Sequence, residues 1–144
     1  MTVTVRLAPH ASPDYDDAVT LRRAVLRAPL GFDFTPEQLA DEAADTHFVA
    51  FDGVHVVGAV VMTPYSATIA KLRQMAVSSD AQGQGVGAAL LKAFEAHARA
   101  QGLTGITLAA RVTAQGFYAH NGYAAEGDIF EEVTIPHIKM TKAL

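Results

Sequence analysis

The stretch 80-DAQGQGVGAALL-91 holds Gly83, Gly85 and Gly87 and runs without a spacer into an alanine- and leucine-rich pattern of helical character. The first turn of a helix has backbone N–H groups with no internal partner, and the helix dipole adds partial positive charge there. Glycines let those N–H groups converge and let a bulky anion come close without meeting a Cβ. The chemistry on offer is the binding of a phosphate or diphosphate by neutral donors. A plain tight turn with glycines for packing is the competing reading. Two known phosphate loops fail the comparison. A Walker loop needs Lys-Ser/Thr after its last glycine, where this chain has Ala88-Ala89. A dinucleotide fingerprint needs an acid at the end of the next strand, and 108-LAAR-111 lacks one.

The surrounding elements follow from periodicity. Residues 2–8 alternate and predict a strand. Ala18, Leu21, Ala24, Val25 and Ala28 recur at helical spacing, predicting a helix over 14–28 that Pro29 and Gly31 stop. Thr35 and Pro36 predict the cap and first position of a second, short helix. Segments 46–51, 54–64 and 67–77 are β-branched and partly alternating, with Asp52-Gly53 and Pro64-Tyr65-Ser66 between them; they predict an antiparallel meander. Val86, Leu90, Phe94 and Ala98 form one helical stripe, closed near Gly102. A strand over 104–110, a short helix over 113–120 and two strands, 122–127 and 129–141, complete the chain. The order β-α-α-β-β-β-α-β-α-β-β predicts an α/β (α+β) fold on a mixed sheet, with one parallel crossover.

Composition sets limits. A chain of 144 residues, half of them hydrophobic, suits a single domain over 1–144 with a packed core. The absence of cysteine removes disulfides, thiolate nucleophiles and thiolate metal sites. A formal net charge of −4 gives no electrostatic basis for condensing onto nucleic acid or anionic lipid. The amino terminus MTVTVRLAPH has no signal-peptide pattern, and no apolar run reaches membrane-spanning length. A cytoplasmic protein with no membrane partner is the expectation. His10, His47, His55, His97 and His120 show no ligand spacing, so no metal is expected.

The loop Gln82-Gly83-Gln84-Gly85-Val86-Gly87 fits a Q/R-x-x-G-x-G/A signature, and here the chain resembles the GNAT N-acetyltransferase superfamily. The resemblance extends over the element order, the approach 72-LRQMAVSSDAQGQGVG-87 and the segment 116-GFYAHNGY-123, which is similar to the superfamily's FYxxxGF. The ending 129-IFEEVTIPHIKM-140 and the stretch 21-LRRAVLRAPLG-31 resemble a small prokaryotic ElaA-like subgroup.

This resemblance implies acetyl-CoA as cosubstrate, held where the strands flanking the glycine loop and its helix splay apart. Backbone groups of Met75, Ala76 and Val77 would pair with the pantetheine amides. The N–H groups of Gln82, Gly83, Gln84, Gly85, Val86 and Gly87 would hold the pyrophosphate. Tyr118 matches the family's general acid for the departing thiolate; taken alone it reads as a half-buried aromatic on an amphipathic helix. The strand Lys71-Leu72-Arg73-Gln74-Met75 has no carboxylate, so the family's strand glutamate is not carried over. Glu131, Glu132 and His137 in the last strand pair are the candidate bases, with Gln74 orienting a water. His137 also reads as a structural histidine, and an acceptor arriving as the neutral amine would need no base.

Arg111 could touch CoA or a substrate carboxylate, although a surface arginine is the better reading. Arg22, Arg23 and Arg27 read as a solvated helix face. Phe32 and Phe34 either line the acceptor pocket or anchor their loop. The implied activity is transfer of an acetyl group to a primary amine by direct attack in a ternary complex, and a homodimer is compatible with the family. A non-catalytic acyl-CoA-binding module on the same fold and a generic nucleotide-binding domain are the alternatives.

Overall fold

The computed structural model describes residues 2–144. Its seven strands are β1 (Val3–Leu7), β2 (Thr46–Asp52), β3 (His55–Pro64), β4 (Ile69–Val77), β5 (Gly105–Arg111), β6 (Ala124–Glu132) and β7 (Ile135–Ala143). They form one sheet in the order β1-β2-β3-β4-β5-β7-β6. Neighbours are antiparallel except β4 and β5, which run parallel. Helices α1 (Pro13–Arg22), α2 (Pro36–Asp41), α3 (Val86–Ala100) and α4 (Gln115–His120) complete the expected order.

Period-2 alternation on β2 sorts the core onto two faces. Phe48 and Ala50 pack with Val86, Leu90, Phe94 and Ala98 of α3, so the sequence stripe is the buried face of that helix. Val49 and Phe51 join Tyr15, Ala18 and Val19 of α1 on the opposite face. Gly58 lets α3 sit close to β3: a Cβ there would stand 2.7 Å from Val86 Cγ1 and 2.9 Å from Leu90 Cδ1. Thr35 caps α2 reciprocally with Gln38, and Pro36 occupies the first helical position.

Two sequence expectations are corrected. The helix expected over 14–28 is α-helical only to Arg22; a π-turn over Arg23–Arg27 and a 3-10 turn over Ala28–Leu30 follow, ended by Gly31 at φ 74°. The wider turn changes which residues face inward, and the arginines do not share a solvated face. Arg22 is buried against Glu42 (Nη1 to Oε1 2.9 Å), and Arg27 is half-buried. The last two strands do not divide at residue 128. Gly127, at φ 75°, sits in a bulge within β6, and the hairpin turn is Val133-Thr134, both at positive φ. Glycine marked the bulge, while β-branched residues concealed the turn.

Candidate active site

β4 and β5 pair only from Ile69↔Gly105 to Leu72↔Leu108. Beyond Leu72 the register of β4 against β3 shifts, with Gln74 at φ 58°. The extra residue bends β4 away from β5. Met75, Ala76 and Val77 continue along β3, with Ala76↔Ala59 and Val77↔Gly58, while their side toward β5 carries no strand partner.

The opening is a cleft of about 830 Å3 between the splayed strands, the start of α3 and the flank of α4. Met75, Ala76, Val77, Gln82, Gly83, Gly85, Val86 and Gly87 all line it. Gln84 does not; its side-chain amide donates to the Asp80 carbonyl at 3.4 Å. Among the described residues, none of the six N–H groups from Gln82 to Gly87 donates to a protein acceptor. Helix α3 starts at Gly85, which occupies the cap position at φ 84° and offers no side-chain cap. Its first turn therefore presents bare donors to the cleft.

The three glycines have different roles. Gly83 and Gly85 have φ of 76° and 84°, and an added Cβ would meet nothing within 4 Å. Their requirement is the left-handed backbone, with open space above it. Gly87 is a packing glycine, because a Cβ there would strike the ring of Phe117.

A smaller cavity of about 170 Å3 adjoins the cleft, with Met75, Arg111 and Phe117 lining both. Around it stand Tyr118, His137, Glu132, Gln74 and Arg27. Tyr118 is buried, with its ring 5.0 Å from that of Phe117 and 5.7 Å from that of Tyr123. Burial pushes its phenol well above the ordinary value, so it is protonated through the neutral range and has its hydroxyl proton to donate. His137 is buried, and its Nδ1 lies 2.7 Å from the Ile135 carbonyl. That oxygen can only accept, which puts a proton on Nδ1, so that in the neutral ring the lone pair is on Nε2. Nε2 stands 3.7 Å from Glu132 Oε2. Glu131, the neighbouring candidate, is exposed and lines neither space.

A third, more polar cavity of about 190 Å3 continues outward, sharing Arg27 and Gln74 with the second. Asp41, Asp45, Arg73 and Phe34 line it, whereas Phe32 is exposed and outside it. Glu42 forms its floor. Burial alone would raise the Glu42 carboxyl, but Arg22 and the Tyr15 hydroxyl (2.8 Å) outweigh it and hold it low. Asp45 is pushed up by burial, against the opposing pull of Arg73. Arg27 was not legible as a site residue, because the π-turn that directs it inward leaves no mark in the helical spacing. Arg111, read foremost as a surface arginine, is half-buried and lines both the cleft and the inner cavity.

A parallel β4–β5 pair that parts beside a glycine-started helix defines the acyl-CoA N-acyltransferase fold. The acetyltransferase (GNAT) domain family matches residues 31–144, and the chain belongs to that family. It is 32% identical over 102 residues to YjcF of Bacillus subtilis, an uncharacterized N-acetyltransferase, covering 70% of this chain and 72% of that protein. Escherichia coli ElaA superposes with a TM-score of 0.80 at 19% identity, over 98% of this chain and 99% of its own. A GNAT acetyltransferase of Elizabethkingia anophelis, solved with acetyl-CoA bound, gives 0.75 at 18% identity over 99% and 98%. Among the described residues no His, Asp and Glu cluster is arranged to hold a metal ion, and no helix is long and apolar enough to cross a membrane.

Proposed function

We propose that the chain transfers an acetyl group from acetyl-CoA to a primary amine, by direct attack with both substrates bound. The observation that carries this reading is the row of unpartnered N–H groups from Gln82 to Gly87, set at a cleft that leads inward to Tyr118 and His137. Those donors suit a diphosphate without a metal. The unpaired side of Met75–Val77 offers backbone groups to amides lying along it, as an added strand would. The neighbour solved with acetyl-CoA supports the same choice of cosubstrate.

Acetyl-CoA supplies an activated thioester, in which a C–N bond forms as the C–S bond breaks. One proton must leave the amine and one must reach the sulfur. Tyr118, held protonated by burial, hydrogen-bonds the departing sulfur and passes its proton to it as the C–S bond breaks. The proton taken from the amine returns to the phenol through solvent, so that no tyrosinate persists. His137, with Nδ1 committed to Ile135, accepts the amine proton at Nε2, directly or through one water. The bulge at Gln74 parts β4 from β5 and opens the space in which the groups react, and alignment in the enclosed site supplies much of the rate.

The test has two stages. Acetyl-CoA should raise the melting temperature, and ADP or ATP should do so much less. Thiol release over a panel of primary amines should then reveal turnover. Tight acetyl-CoA binding without turnover on any amine would leave a non-catalytic acyl-CoA-binding module in place of the enzyme.

A further inference from the structure

The chain has seven arginines, and five of them, Arg6, Arg22, Arg23, Arg73 and Arg99, have a carboxylate within 4.0 Å. The two without one among the described residues are Arg27 and Arg111, and both line the cavity that holds Tyr118 and His137. Their guanidinium groups converge on one atom: Arg27 Nη1 lies 3.3 Å and Arg111 Nη2 3.1 Å from the Leu26 carbonyl oxygen. Both are half-buried, so water screens their repulsion incompletely. Burial first, and then Arg111 and Arg22, press the Arg27 guanidinium below its ordinary value. The negative groups facing this space are Glu132, which stands nearer His137, and, in the outer cavity, Asp41, Glu42, which is engaged by Arg22, and Asp45, which stands beside Arg73. None of these acids lies within 4.0 Å of a guanidinium nitrogen of the converging pair.

Two like charges gathered in a small cavity are held at a cost that a bound anion relieves. A guanidinium fork matches a carboxylate in shape and hydrogen-bond count. We propose that Arg27 and Arg111 receive a carboxylate of the acceptor, which is therefore a small amino acid, with amine and carboxylate on one molecule. This identification of the acceptor rests on the acetyl-transfer reading above. It places the amine beside Tyr118 and His137, and it disfavours polyamines and aminoglycosides, whose cations would meet the two guanidiniums. Arg111 also borders the acetyl-CoA cleft, whereas Arg27 does not, so Arg27 is the residue that separates acceptor from cosubstrate.

The experiment compares amino acids with their carboxamides, starting with glycine and glycinamide and extending to the other α-amino acids and β-alanine. Spermidine, kanamycin and phosphoethanolamine are run beside them. Melting is recorded with CoA present, and kcat/KM by thiol release from acetyl-CoA. At least one amino acid should raise the melting temperature above its amide and exceed it in kcat/KM by about tenfold or more. Arg27→Gln should bring that ratio toward one, and Arg27→Lys should keep part of it. The proposal is overturned if an amide, spermidine, kanamycin or phosphoethanolamine does as well as every amino acid. It also fails if no panel member binds, or if Arg27→Gln leaves the ratio intact. Failure of acetyl transfer itself looks different: no thiol release with any amine, while the carboxylate-dependent melting shift persists.

Discussion

Gly87 and Phe117 are packed so closely that a Cβ on Gly87 would stand 2.9 Å from Phe117 Cζ and 3.1 Å from Cε1. The contact ties the first turn of α3 to α4, and Phe117 precedes Tyr118 in the chain. Gly87→Ala should therefore push the Phe117 ring and displace Tyr118. We expect a stability loss of about 1–3 kcal/mol, as for other overpacked sites, together with a fall in kcat. Phe117→Leu on that background should recover part of both. A denaturant double-mutant cycle checks this, and strictly additive effects would show that the contact does not transmit the change.

Gly85 and Gly102 form a matched pair. Both have positive φ, 84° and 78°, and neither has an atom within 4 Å of its would-be Cβ. Alanine at either position should cost about 1–2 kcal/mol of backbone strain. Only Gly85→Ala should also remove the melting shift produced by acetyl-CoA, since Gly102 closes α3 at the far end. Equal shifts retained in both variants would refute the role given to the glycine loop.

Tyr118→Phe isolates the phenolic proton. Turnover should fall by about 10²-fold or more, with the KM for acetyl-CoA little changed. Because burial raises this pKa, the wild-type rate should show no loss from Tyr118 ionisation below its ordinary value of about 10. Stopped assays from neutral pH upward test both statements.

His47 predicts an acid limb of stability. It is buried, and its Nε2 lies 2.9 Å from the Glu42 carbonyl, which fixes the proton on Nε2 in the neutral ring. Burial depresses its pKa, so the unfolded chain takes up this proton first as pH falls. Stability from the neutral ring is thus present above about 6.5, the ordinary histidine value, and lost as pH drops toward the lower folded pKa. His47→Gln should flatten that limb in a melting series from neutral to mildly acidic pH, once the pH-independent cost of the substitution is subtracted.

The residues that announced themselves in the sequence were those governed by local rules. The α3 stripe, the Thr35 cap and the glycine loop each follow from periodicity or backbone freedom, and the resemblance tied them to one family. What stayed hidden required a residue to act against its type. Gln74 adopts positive φ to bend β4, although nothing in LRQMA marks a bulge. The π-turn after Arg22 preserves apolar spacing well enough to read as continuous helix while redirecting Arg27. Glu131 and Glu132 are adjacent candidates, and only the placement of the hairpin turn decides which of them reaches the cavity.

That hairpin turn has a consequence for the history of the protein. Val133 and Thr134 occupy φ of 50° and 62°, a region that β-branched side chains resist, and Val133 lines the cavity near His137. Asn-Gly is the better turn by backbone preference alone. A Val133→Asn, Thr134→Gly variant should be the more stable protein. If it is also the poorer catalyst, the turn marks a place where natural selection favoured performance over durability.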